Sequence, residues 1–152
     1  MLHKSLVLAL ISIFAVSCSS KAQRNQAEDY FQQPVAAEVI PANTVVNFGF
    51  DNFELSKKAM KLLSENFIPQ LKADPKVKVV VEGHCDERGS NKYNKKLGKN
   101  RANAVKKFLL KNGVEESRIR AISFGKSMPL DPAHNEDAWA KNRRAVTIYA
   151  GY

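Results

Sequence analysis

The chain has 152 residues, which supports one domain plus extra segments. Its 44% hydrophobic and 26% charged residues are ordinary for a globular protein, and two cysteines are too few for a disulfide framework. With 24 Lys+Arg against 15 Asp+Glu the net charge is +9, which favours anionic partners (nucleic acid, anionic lipid, cell-wall polymer) without choosing among them.

The N-terminus carries Lys4 and then the apolar run Leu6 to Val16. That run is shorter than the ~20 residues needed to span a bilayer, so it reads as an export signal. The small-residue boundary Ala15-Val16-Ser17-Cys18 resembles a bacterial lipoprotein signal. Residues 1–17 would be removed and Cys18 lipidated, with Ala15 standing where Leu is usual. Each buried methylene contributes about 0.8 kcal/mol, and several acyl chains anchor stably. The same resemblance, with Ser19 rather than Asp after the cysteine, implies sorting to the outer membrane. With Cys18 acylated, Cys85 has no partner in the chain.

Residues 18–43 are polar and Gln-rich and read as a flexible tether. A coil of that length reaches roughly 28 Å r.m.s. and about 80 Å when extended. Tyr30, Phe31, Val35, Val39 and Ile40 also allow part of it to pack on the domain.

The folded domain is expected over residues 44–152. Thr44 to Phe50 carries β-branched and aromatic residues, a strand signature. Ser56 is placed to cap a helix running to Ala73, with Pro69 expected to kink it or end it early. Val77 to Gly83 is the clearest strand. A second helix starts at Ser90 or Asn94 and ends at Asn112, with Gly113 suited to the position after its cap. Arg118 to Phe124 is a third strand, Asn135 to Lys141 a short helix, and Arg144 to Tyr149 the last strand. The alternation predicts an α/β (α+β) sandwich: a mixed four-stranded sheet with two long helices on one face and one short helix.

In the second helix the apolar stripe is Leu97, Ala104, Val105, Phe108 and Leu109, and Arg101 falls on it. A cation there costs stability unless an anion meets it. Its side chain leans toward the helix N-terminus, where His84, Cys85, Asp86 and Glu87 leave the second strand. If the first strand runs parallel to the second, Asp51 emerges at the same edge, the usual ligand side of open α/β folds. Two readings follow. Arg101 and Asp86 form an internal salt bridge, or they form a zwitterion site in which Asp86 takes an ammonium and Arg101 grips a carboxylate.

His84, Cys85 and Glu87 also raise the alternative of a cell-wall peptide hydrolase or metal enzyme. Zinc sites gather spaced ligands, whereas neighbouring strand residues point to opposite faces. A Cys85 nucleophile needs an adjacent base that nothing places. A core or orienting role suits His84, and a small buried apolar role suits Cys85. No enzyme activity, cofactor or metal is therefore expected. The lysines of the second helix come without a stacking platform or a nucleic-acid motif, so no nucleic-acid partner is expected either.

The stretch EGHCDERGSNKYNKKLGKNRANAVKKFL, with TVVNFGFD and NRRAVTIY, resembles the OmpA-like peptidoglycan-binding domains, and most of all their lipoprotein members. The resemblance covers about Thr44 to Tyr149. It implies noncovalent binding of the peptide stem of peptidoglycan, chiefly its meso-diaminopimelate. The family's aspartate falls on Asp86 and its helix arginine on Arg101, while further ligand contacts fall on Phe50, Asp51, Arg88, Ser90 and Leu97. The resemblance also implies TolB and other Tol proteins as partners, a place on the outer membrane with the domain facing the periplasm, and a part in cell division.

Overall fold

A computed structural model describes residues 43–150. The signal expected at 1–17, Cys18, and the tether except Asn43 lie outside the described residues. So do Gly151 and Tyr152.

The ordered elements are β1 (Thr44–Asn47), α1 (Lys57–Leu62), a π-helical turn (Leu63–Phe67), α2 (Ile68–Ala73), β2 (Val79–His84), α3 (Asn91–Lys111), a 3-10 turn (Glu116–Arg118), β3 (Ile119–Gly125), α4 (Glu136–Asn142) and β4 (Arg144–Tyr149). The sheet is four-stranded and mixed, in the order β1-β4-β2-β3. Strand β4 is antiparallel to both β1 and β2, and β2 is parallel to β3. It follows that β1 and β2 run the same way and release their chains at the same sheet edge. This is the geometry that brings Phe50-Asp51 beside Cys85-Asp86.

Side chains alternate across the sheet. Val46, Val79, Val81, Ile119 and Ala145 share one core with Leu63, Phe67 and Leu71 of the first helical segment and with Ala102, Val105 and Leu109 of α3. The two long helical segments therefore cover the same face, as right-handed crossovers require. Leu63, Phe67 and Leu71 are fully buried, each worth about 1.5–3 kcal/mol relative to exposure.

Ser56 caps α1, its Oγ accepting from the Ala59 amide at 3.1 Å. The segment neither stops nor restarts at Pro69. It inserts a π turn instead, in which the Ile68 amide bonds the Leu63 carbonyl five residues back. Pro69 has no N–H to offer and its ring would clash with a carbonyl in regular α geometry. The wider turn puts Pro69 in the opening turn of α2, where a missing N–H costs little. Strand β1 ends at Asn47 rather than Phe50. The Phe48 amide still donates to the Arg143 carbonyl at 2.9 Å, before Asp51 turns at φ 50.

Helix α3 begins at the earlier of its two expected starts. The Ser90 Oγ accepts from the Tyr93 amide at 3.1 Å. It ends at Gly113, φ 88, with the Val114 amide on Leu109 O and the Gly113 amide on Leu110 O, the Schellman pattern. Its buried stripe differs from the expected one. Ala104 and Phe108 are only half-buried, while Gly98 and Ala102 make the close contact. A Cβ on Gly83 of β2 would sit 1.8 Å from the Gly98 carbonyl oxygen. Helix and strand touch backbone to backbone there, and this fixes how deeply the next turn, with Arg101, is seated.

Candidate binding site

The chain leaving β1, the chain leaving β2 and the first turns of α3 enclose a cavity of about 200 Å³. Its walls include Phe50, Asp51, Asp86, Arg88, Leu97 and Arg101, six of the seven residues expected from the sequence. Ser90 does not join them. Its hydroxyl is spent on capping α3.

Arg101 is 0% exposed. It makes no salt bridge with Asp86, contrary to the first of the two readings. Its Nη1 donates to the His84 carbonyl at 2.8 Å, Nε to Asn52 O at 2.8 Å and Nη2 to Gly49 O at 3.0 Å. The carbonyls left free where β1 and β2 end outcompete a carboxylate, because the close helix–strand packing seats the guanidinium level with them. Burial pulls its pKa down, with the Cys85 and Asp86 neighbours opposing.

Asp86 turns to other arginines. Its Oδ2 accepts from Arg88 Nη2 at 2.6 Å and from Arg143 Nη1 at 3.4 Å, and its Oδ1 accepts from the Arg88 amide at 3.2 Å. Burial raises the carboxyl's pKa, but the Arg88 and Arg143 bonds together outweigh it, and the net direction is down. The site therefore presents an ionised carboxylate. Arg143 also reaches Glu136 at 2.7 Å and Phe48 O at 3.1 Å. Arg88 lies with its Cζ 4.1 Å from the Phe50 ring centroid and 4.2 Å from that of Trp139.

Asp51 lies at the cavity's outer side, where the Tyr93 hydroxyl donates to it. That bond raises the Tyr93 pKa. Asn94 is 1% exposed, and its Nδ2 donates to the Arg88 carbonyl at 2.8 Å, holding the turn at Arg88-Gly89. Sequence reasoning missed Tyr93, Asn94 and Arg143. Asn94 was within reach: it stands seven residues, about two turns, before Arg101 on the same buried stripe. Arg143 gave no periodic signal.

The cluster His84, Cys85 and Glu87 is not assembled as a catalytic unit. His84 is 2% exposed and stacks on Phe124, with centroids 5.4 Å apart. Burial, then the charge of Arg144, pulls its pKa down to about 4. The Cys85 thiol is raised by burial and donates to Asn94 O at 3.3 Å. The Glu87 carboxylate lies with His134 Nδ1 (2.7 Å) and Trp139 Nε1 (2.9 Å). Among the described residues no group of His, Cys, Asp and Glu has the arrangement to hold a metal ion. Nor is any described helix long and apolar enough to cross a membrane.

The sequence pattern of the OmpA family matches residues 47–143 of this chain, a span that holds every wall of the cavity. The chain belongs to the OmpA family. It is 37% identical to the peptidoglycan-associated lipoprotein of Haemophilus influenzae over 149 residues, covering 96% of this chain and 97% of that one. The corresponding protein of Pasteurella multocida is 35% identical over 144 residues, with 95% of each chain covered. The crystal structure of the peptidoglycan-associated lipoprotein from Burkholderia pseudomallei superposes with a TM-score of 0.67 at 37% identity, covering 69% of this chain and 88% of that one. The OmpA-family fold expected from the sequence is thus the fold observed.

Proposed function

We propose that the chain binds the peptide stem of peptidoglycan noncovalently, and that the stem's meso-diaminopimelate enters the cavity beneath Phe50. The observation that carries this reading is the lining: the carboxylates of Asp51 and Asp86 and the guanidinium groups of Arg88 and Arg101 share one space of about 200 Å³. Both signs of charge suit the ammonium and carboxylate of a zwitterionic side-chain end, and the volume suits that end better than a whole stem. Asp86 and Asp51 take the ammonium. Arg88 takes the carboxylate. Arg101 supplies buried positive charge beneath it, with two of its five N–H groups uncommitted to the carbonyls named above. Phe50, 63% exposed, and Leu97 give apolar contact to the stem's methylenes.

In this reading the chain ties the outer membrane to the cell wall. Lipid on Cys18 anchors it, the tether gives reach, and the domain faces the periplasm. The lipoprotein names of the relatives and the pattern ending at Cys18 support the anchor. TolB, competing for an overlapping surface, and other Tol proteins are the proposed protein partners in envelope integrity and cell division. The chain acts as a binding module rather than a hydrolase, because the buried Cys85 thiol donates to the Asn94 carbonyl rather than to a base, while His84 stacks on Phe124.

Incubation with purified sacculi tests the reading. The protein is expected to cosediment and to release no peptide fragments. Fragment release, or no cosedimentation, contradicts it.

A further inference from the structure

Trp139 is absent from the lining of the cavity, yet it holds one of the side chains that line it. Helix α4 brings its indole against Arg88, so that the guanidinium is flanked by two aromatic rings at 4.1 and 4.2 Å. Both distances are well inside the ~6 Å range of a cation–π contact. The indole is itself fixed, since Nε1 donates to Glu87 Oε1 at 2.9 Å and His134 Nδ1 holds the same carboxylate. The edge of the guanidinium is fixed as well, by Asp86 at 2.6 Å, while Glu136 of α4 lies 3.8 Å from Nη1. Arg88 Nε is buried without a hydrogen-bond partner among the described residues. An arginine free to turn would hydrate that N–H; here the surrounding side chains keep water from it.

We propose that Trp139 is a positioning residue for ligand binding. It sets the plane of the Arg88 guanidinium before the ligand arrives, so the fork meets a carboxylate without first losing its rotamer freedom. This rests on the diaminopimelate reading above. Trp139 itself needs no contact with the ligand, and its effect passes entirely through Arg88. Without the indole, Arg88 keeps its bond to Asp86 but can rotate toward Glu136 and solvent. The short helix α4, remote in sequence from the strand-turn-helix motif, thereby becomes part of the recognition apparatus.

The test is a double-mutant cycle on the full-length chain, read as affinity for the tripeptide L-alanyl-γ-D-glutamyl-meso-diaminopimelate. Trp139→Ala is expected to weaken binding about tenfold when Arg88 is present, and less than about twofold when Arg88 is already Ala. Trp139→Phe keeps a ring on the guanidinium and is expected to stay within about threefold of the wild type. Equal losses in both backgrounds, or no loss in either, overturn the proposal. A wild-type chain that does not bind the tripeptide overturns the function proposed above and this positioning with it. If Trp139→Ala does not fold, NMR of the wild-type chain decides. The rings are expected to shift the Arg88 Nε proton upfield and slow its exchange with water. An unshifted, fast-exchanging proton overturns the arrangement.

Discussion

Arg101 donates from Nη1 to the backbone carbonyl of His84 at 2.8 Å, and its other two bonds run to Gly49 and Asn52. One buried cation thus ties the end of β2 to the loop after β1, the two segments that carry Asp86 and Asp51. Arg101→Ala leaves three carbonyls without this donor. It is expected to lower stability by about 3–5 kcal/mol, measured by urea unfolding. A variant with wild-type stability that only fails to bind would show that Arg101 serves the ligand alone.

Asp86→Asn keeps the shape of the side chain and removes its charge. Affinity for sacculi is expected to fall more than about a hundredfold, equivalent to roughly 2.7 kcal/mol or more, in a domain that still folds. In the wild type, folding stability against pH reads the same carboxylate. The Asp86 carboxyl lies below its ordinary 3.8, so its stabilisation by Arg88 and Arg143 is present above that pH and is lost as pH falls through the lowered value.

His84 gives stability a second pH dependence, at milder acidity. Its imidazole titrates at about 4 when folded and at 6.5 when unfolded, so between these values the unfolded chain binds more protons. Stability is full above 6.5 and falls as pH drops toward 4, by on the order of 3 kcal/mol. Urea unfolding at pH 7, 5.5 and 4.5 measures it. In His84→Leu the loss over this window is expected to shrink; an unchanged profile assigns the loss to other groups.

Cys18→Ser is expected to move the protein from the membrane fraction to the soluble fraction, since it removes the site that would carry the acyl chains. Retention on the membrane would point to an uncleaved signal or another anchor.

Periodicity and capping residues made the fold legible. Ser56, Ser90 and Gly113 mark helix ends where the structure has them, and Arg144–Tyr149 is the strand read from the sequence. The π turn before Pro69 was not legible, because the same residues satisfy a broken helix equally well. In the site, the oddity of a cation on an apolar stripe located Arg101 correctly as a residue in need of partners. The partners themselves were not legible. Sequence shows side-chain charge, and so pointed to Asp86, whereas the actual acceptors are main-chain carbonyls exposed where two strands end. Arg143 and Trp139 reach the site only because β4 lies between β1 and β2, a strand order that no local pattern encodes.

The central claim is that opposite charges in one cavity read a zwitterion. The most direct measurement compares affinity for diaminopimelate-type and lysine-type peptidoglycan, which differ in the carboxylate at the end of the stem's third side chain. The account predicts at least about a tenfold preference for the diaminopimelate type, equivalent to about 1.4 kcal/mol, and loss of that preference in Arg88→Ala. Equal affinity for the two walls would contradict it.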